Sequence, residues 1–503
     1  MDWLLILLAV ICGLFYALLM LEQPFNVILS VPLIIAWLLF WITSRQFGLS
    51  APLDLPILLL LVLASVGAFF TSFMELFLPK LSGLIIGVSF YYIITAFFRY
   101  RQRLPAMITA LLFLSVIVGL LGLVGTDWPV GNHVLFDQIY RHLPAIFDNL
   151  GVEAINKNTL GGVLASFPPL LLSLLWDKGG FGRLKSHYEK LSAIPEFVYK
   201  GFVAFCFIFC SGILLLTQSR GAWLGCAAGI FLLCVFKNKR FLWVLFPTGM
   251  VFLYFLFFRS EGNLLQLISL LDTSQEATLP GRFEIWSKAL LILRDFPLTG
   301  IGLGAFGEVY QQYFASIVLP SSADVVYHAH NTMLSVAVEV GIPGLLAYSI
   351  LIGGFGAMSW KMLTCKRTIN RVLAIGLACG IFSFLVYGLF DAFTLGRNLE
   401  IIYWIFLGCA SALYVHDYSL SSSEVSYDFY QENLSSSKKD PAKKKQTRKQ
   451  NRFLVVYWLV IALIALALVG LNVVLALMIS IVSGVGIGVY YVRAIEEKHY
   501  ETA

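Results

Sequence analysis

Charge is what this 503-residue chain has least of: 13% of its residues are Asp, Glu, Lys or Arg, against 59% hydrophobic ones. A soluble domain carries about a quarter charged residues, so the shortage places most of the chain in or against lipid and leaves no room for a large soluble domain. A formal net charge of +6 is small for this length and is no signal for nucleic acid. Paired cysteines are also lacking. The eight cysteines lie almost entirely inside apolar runs and form no C-x-x-C pair, which argues against a disulfide framework or a thiolate metal site. The first apolar run, 3–21, has neither a basic segment before it nor an obvious cleavage site, so it reads as a membrane helix and not as a signal peptide.

What is present in abundance is apolar runs near the length of about 20 residues that crosses a bilayer. They cover 3–21, 27–43, 55–73, 81–98, 104–124, 158–176, 199–217, 221–236, 241–258, roughly 332–359, 369–389, 400–416, 453–471 and 472–492. The expected fold is therefore all-α and polytopic, with about twelve core spans and a C-terminal two-helix hairpin. With the N-terminus in the cytoplasm, the inside loops before the hairpin carry the basic residues: Arg45; Arg99, Arg101 and Arg103; Lys178, Arg183, Lys185 and Lys190; Lys237, Lys239 and Arg240; Lys361, Lys366, Arg367 and Arg371; then the Lys-rich tail. Residues 1–416 form the expected membrane body and 453–503 the C-terminal hairpin region. Between them, 417–452 is Ser-rich and then Lys-rich and reads as a disordered cytoplasmic linker.

On this orientation two long segments, 125–157 and 259–331, lie outside the cytoplasm. In the second, Pro280 and Gly281 open an amphipathic helix with Phe283, Trp286, Leu290 and Leu293 on one face, suited to lying along the membrane. Asp295, Phe296 and Pro297 end it. The run G-I-G-L-G-A-F-G at 300–307 contains a formal G-x-G-x-x-G. It has no preceding strand or βαβ context, so it reads as tight turns and not as a nucleotide loop.

Three outside features stand against the positive-inside pattern: Arg220 at the mouth of a span, Arg282 at the start of the amphipathic helix, and His328 with His330 just before another span. A lone Arg220 can be an interfacial anchor. Arg282, a cation at a helix N-terminus, opposes the helix dipole. Together, two guanidiniums can hold phosphate oxygens in bidentate fashion, and an imidazole can accept a proton near neutral pH. An anionic, lipid-linked substrate would fit such a group. Asn331 and Thr332 can cap the helix that follows His330. His328, further into the loop, is expected to be more solvated and secondary. A metal held by His328 and His330 is not expected, because their spacing suits a helix poorly and only Asp324 is near. Glu339 is the chief charge inside a span and sits near its outer end beside a Gly-Pro break.

The ordered set N-K-N-T-L-G-G (156–162), S-R-G-A-W-L-G (219–225), G-R-F-E-I-W-S-K-A (281–289), P-L-T-G-I-G-L-G-A-F (297–306) and H-A-H-N-T-M-L-S-V-A-V-E-V-G-I-P-G-L (328–345) resembles the O-antigen ligase and polymerase superfamily over about residues 150–415. The resemblance implies an enzyme of the bacterial inner membrane. It would move a glycan from undecaprenyl pyrophosphate to a hydroxyl on lipid A core, on a growing glycan or on another acceptor, with inversion and without cofactor or metal. It also implies that Arg220 and Arg282 hold the pyrophosphate and that His330 is the catalytic base, with His328, Asn331 and Glu339 as secondary residues. The implied partners are these lipid-linked and membrane components, with no nucleic acid. The alternative within the same resemblance is a transporter of small, bicarbonate-like anions.

Overall fold

The structure, a computed structural model, describes residues 52–98, 103–128, 137–143, 154–177, 195–238, 279–314, 328–364, 368–392, 395, 398–415 and 473–502. The expected spans 3–21, 27–43, 241–258 and 453–471, and the linker 417–452, lie outside the described residues. The other ten expected spans all fall on helices, and among the described residues there is no strand, only an isolated bridge between Thr126 and Ile155.

In chain order, apart from the single turn Asp137–Tyr140, the α-helices are α1 (Asp54–Val66), α2 (Met74–Phe98), α3 (Leu104–Gly125), α4 (Lys157–Leu164), α5 (Phe167–Leu175), α6 (Glu196–Leu216) and α7 (Arg220–Lys237). They continue with α8 (Leu279–Asp295), α9 (Phe306–Phe314), α10 (Thr332–Thr364), α11 (Thr368–Tyr387), α12 (Ile401–Val415) and α13 (Val473–Thr502). Among the described residues, seven candidate spans are long and apolar enough to cross a membrane: α2, α3, the α4–α5 pair, α6, α7, α10 and α13. The protein is a multi-pass membrane protein.

Two expected continuous helices are broken, each for a reason written in its prolines. The run 158–176 divides into α4 and α5 because Pro168 and Pro169 have no N–H to return to the preceding turn, so the helix restarts with them in its first turn. Asn156 caps α4 by accepting the amide of Asn158 at 2.8 Å. In α10 the break falls at Gly341, whose φ is 80° and ψ 177°. Pro343 has no amide for the Glu339 carbonyl, and the Ile342 amide turns away to Pro297 at 2.8 Å. The carbonyls of Val338 and Glu339 are taken instead by the amides of Ile301 and Gly302, both at 3.0 Å. The glycine-rich loop is thus a set of tight turns, as its sequence suggests: Gly300, Gly302 and Gly304 all have positive φ. It satisfies backbone groups that a broken membrane helix would leave bare.

Close approach through glycine organises the helices around α10 and α11. Gly221, Gly225 and Gly229 form a stripe on α7 that faces α11; a Cβ on Gly225 would strike the Ser383 carbonyl and Tyr387, and one on Gly221 would come within 3.2 Å of Phe390. On the C-terminal helix α13, Gly484 and Gly488 pack against the backbone of α10 at Leu346, Ile350 and Gly354, leaving no space for side chains. The N-terminal part of α10 shares a second core with α8, α9 and the start of α13, built on Ile292, Leu293, Phe306, Ala329, Ala337 and Ala476.

The amphipathic helix forms where expected, but its buried stripe is rotated. Ile285, Lys288, Ala289, Ile292 and Leu293 are buried, Trp286 and Leu290 are half-buried, and Phe283 is exposed. Lys288 can occupy the inner face because Glu284 at 2.6 Å and the Tyr310 hydroxyl at 3.2 Å take its ammonium. Glu339 is buried too, paired with Lys80 of α2 at 2.8 Å.

Candidate active site

Four segments meet at one end of this bundle: the start of α4, the α6–α7 corner, the bend 328–331 leading into α10, and the turn after α11. Three sets of atoms show the meeting. Gly161 of α4 packs on Thr217, Ser219 and Ala222 at the corner. Gly221 packs on Phe390, next to Asp391. Trp286, one turn after Arg282 in α8, donates its indole N–H to the Ala329 carbonyl at 2.8 Å, between the two histidines. The segments that carry Arg220, Arg282, His328 and His330, remote in sequence, are therefore neighbours.

At its centre, Nδ1 of His330 is 3.1 Å from Oδ1 of Asp391. The Asp391 carboxylate is buried and otherwise well supplied: Oδ1 accepts the Ala392 amide at 2.8 Å, and Oδ2 lies 2.9 Å from the Tyr387 hydroxyl. That hydroxyl is also 2.7 Å from the Asn158 carbonyl, which ties α4 to the site. Burial alone would raise the Asp391 carboxyl. The hydrogen bond from His330, the charges of His328 and His330 and the Tyr387 hydroxyl outweigh burial and hold it below the usual carboxylate range. An ionised carboxylate only accepts hydrogen bonds. The Nδ1 atom of His330 must then carry the ring proton, and in the neutral ring Nε2 is left with its lone pair free.

His330 is held in this pose by backbone as well as by Asp391. Its φ is +46°, a conformation rare for residues other than glycine and costly to maintain without a rigid surround. The surround is supplied by Asn331, which caps α10 by accepting the Leu334 amide at 3.0 Å and donates its side-chain N–H to the Leu389 carbonyl at 3.2 Å. The Thr332 amide donates to Gly388 at 2.7 Å. The expected capping role of Asn331 is thus present, and it fastens the histidine loop to the turn that carries Asp391.

One expectation is overturned. His328 is not the solvated member of the pair: its side chain is 13% exposed against 21% for His330. Its Nε2 lies 3.7 Å from Asp391 Oδ1, and the two imidazoles meet edge to face with centroids 4.3 Å apart. The buried carboxylate draws both rings inward. Among the described residues, His328, His330 and Asp391 are the group that could hold a metal ion, with ligand atoms all within 4.8 Å of one another.

Glu339 stands apart from this cluster, in the ion pair with Lys80 at the α10 break. The two arginines are half-buried. Arg282 Nε is shielded from solvent and has no hydrogen-bond partner among the described residues. The same holds for the amide nitrogen of Gln218, two residues before Arg220, whose backbone is also left-handed at φ +51°. Each is a donor that an anion can take up, and the Gln218 amide stands just before the N-terminus of α7.

Sequence reasoning missed Asp391, Tyr387, Asn158, Gln218 and Lys80. A lone carboxylate at the mouth of an apolar span, as in L-F-D-A-F at 389–393, is itself a signal. Its partner could not be named, since the pairing spans 61 residues.

No curated protein matches the chain. A family model described as O-antigen ligase matches residues 205–349, a stretch that runs from within α6 to within α10 and contains Arg220, Arg282, His328, His330, Asn331 and Glu339 but not Asn158, Tyr387 or Asp391. Over that stretch, the chain is similar to the O-antigen ligase family.

Proposed function

We propose that this protein is a membrane glycosyltransferase that moves a glycan from undecaprenyl pyrophosphate to an acceptor hydroxyl at the outer face of the bacterial inner membrane. The observation that carries the reading is the His330–Asp391 pair, beside the corner that holds Arg220, with His330 inside the region of the family match and Asp391 beyond it. Asp391 keeps the His330 proton on Nδ1, and Nε2 takes the proton of the acceptor hydroxyl. The acceptor oxygen attacks the anomeric carbon of the donor, the bond to the pyrophosphate oxygen breaks, and the configuration inverts. Arg220 and Arg282 bind the pyrophosphate and take up the negative charge that grows on the leaving group. Every step uses side chains of this chain, with no cofactor.

The acceptor is lipid A core in a ligase, a growing glycan in a polymerase, or another hydroxyl. Residues 1–416 make the catalytic body, with both chain termini and the 417–452 linker on the cytoplasmic side. Transport of a small anion is the weaker reading, because the ion pair inside the bundle, Lys80 with Glu339, is closed on itself. The test is deletion of the gene with analysis of surface glycan. Loss of all attached polymer points to ligation, and a single attached repeat unit points to polymerisation. An unchanged surface glycan, together with no transfer by purified protein from a lipid-linked donor, would remove the reading.

A further inference from the structure

The transfer reaction uses the His330–Asp391 contact but gives no part to His328, whose ring lies beside it. Nδ1 of His330 is 3.1 Å from Asp391 Oδ1, and Nε2 of His328 is 3.7 Å from the same oxygen. All three atoms lie within 4.8 Å of one another. Atoms bound to a tetrahedral zinc ion at about 2.0–2.1 Å stand roughly 3.3 Å apart. The two contacts to Asp391 bracket that spacing, and the two imidazoles would close on an ion from within 4.8 Å of each other. Two imidazoles and a carboxylate are the donor set of borderline divalent ions and not of magnesium or calcium, which take oxygen ligands.

The surroundings favour a site over an accident of proximity. The second oxygen of Asp391 is held by the Tyr387 hydroxyl at 2.9 Å, an outer hydrogen bond of the kind that orients metal ligands. The His330 ring is fixed by its capped loop. The two histidine side chains keep 13% and 21% of their surface open, which leaves an ion a way in. A fourth position would be free for water.

We infer that His328, His330 and Asp391 form a binding site for a zinc-class divalent ion, and that the bound ion shuts the enzyme off. Binding needs only the three ligands; the shut-off rests on the reading of His330 as the base. A neutral imidazole has one ring proton. With the metal on Nδ1, that proton sits on Nε2, and the lone pair that would accept the acceptor's proton is gone. The ion also removes Asp391 from its role in holding the other tautomer. No proton leaves the ring in this exchange; it moves from one nitrogen to the other.

The experiment uses the purified full-length chain in detergent, freed of metal, with zinc chloride as the probe and magnesium chloride as the control. Calorimetric titration should show about one zinc site per chain and no magnesium site. His328→Ala and Asp391→Asn should each weaken zinc binding by at least about tenfold, and His328→Gln serves if the alanine variant fails to fold. A wild-type protein that binds no zinc, or variants that bind it unchanged, would overturn the site. In the transfer assay, zinc should inhibit the wild type and a chelator should restore turnover; zinc held at the site with turnover undiminished would overturn the shut-off. The titration contains no glycan, so its result stands whether or not the transferase reading does.

Discussion

His330 and Asp391, 61 residues apart, share a 3.1 Å contact that fixes which imidazole nitrogen can accept a proton. Replacing Asp391 by Asn keeps the shape but puts a neutral amide opposite Nδ1. The base then loses its enforced tautomer, and turnover should fall by about 10²- to 10⁴-fold with little change in donor KM. Stability should respond as well. The folded carboxyl titrates below its ordinary value, so its contribution is complete above about pH 4 and is lost as pH drops toward the folded value. Melting temperatures measured down the acid range should show that slope in the wild type and a flatter one in Asp391→Asn.

Arg220→Ala and Arg282→Ala should weaken donor binding, each by about 1.5–3 kcal/mol if a charge-assisted hydrogen bond is lost. Lysine at either position should restore only part, since it lacks the planar fork. Donor affinity measured with a polyprenyl pyrophosphate glycan decides this; a double lysine variant with wild-type affinity would rule out the phosphate clamp.

The Lys80–Glu339 pair is buried at the carboxylate and nearly so at the ammonium. Glu339→Gln should cost about 3–5 kcal/mol by leaving an unmatched charge, and Lys80→Met together with Glu339→Leu should recover most of it. Thermal unfolding of the three proteins gives the comparison. A double variant no more stable than the single one would mean that the pair does more than neutralise itself.

The C-terminal helix should be integral to the body despite the linker before it. Gly488→Leu would drive a side chain into the α10 backbone at Ile350 and Gly354 and should destabilise the protein by at least about 1–3 kcal/mol. Gly356→Leu, at a position with open space beside it, is the control. Equal melting temperatures for the two would contradict the packing.

Orientation can be tested where the structure describes nothing. A cysteine at Ser322 should react with an impermeant reagent applied from outside, and one at Ser436 should not. The reverse pattern would invert the topology.

The sequence made the helices legible through hydropathy, and it made Arg220, Arg282 and His330 legible because each departs from what a membrane span or its outer edge normally carries. What it hid was relational. His328 looked solvated because Asp391 is distant in sequence. The sequence put Phe283, Trp286, Leu290 and Leu293 on one face of α8 and said nothing of Lys288; the Glu284 and Tyr310 partners that let that lysine turn inward are visible only in three dimensions. The α4–α5 break could have been read from Phe167-Pro168-Pro169, where the missing amides are plain. The glycine stripe of α7 could have been found from its spacing of four residues.

The glycine-rich loop and the broken helix α10 complete each other's hydrogen bonds: the loop amides of Ile301 and Gly302 answer the helix carbonyls of Val338 and Glu339, and Ile342 answers Pro297. Neither segment is self-sufficient, so they must be inherited together. A chimera that imports 297–306 from a relative while keeping 332–343 would place two foreign donors against two native acceptors inside a membrane protein, where a mismatch finds no water to repair it. Exchange between relatives is safest when the loop and the helix travel as one cassette, and donor or acceptor preference is better altered at segments outside that interlock.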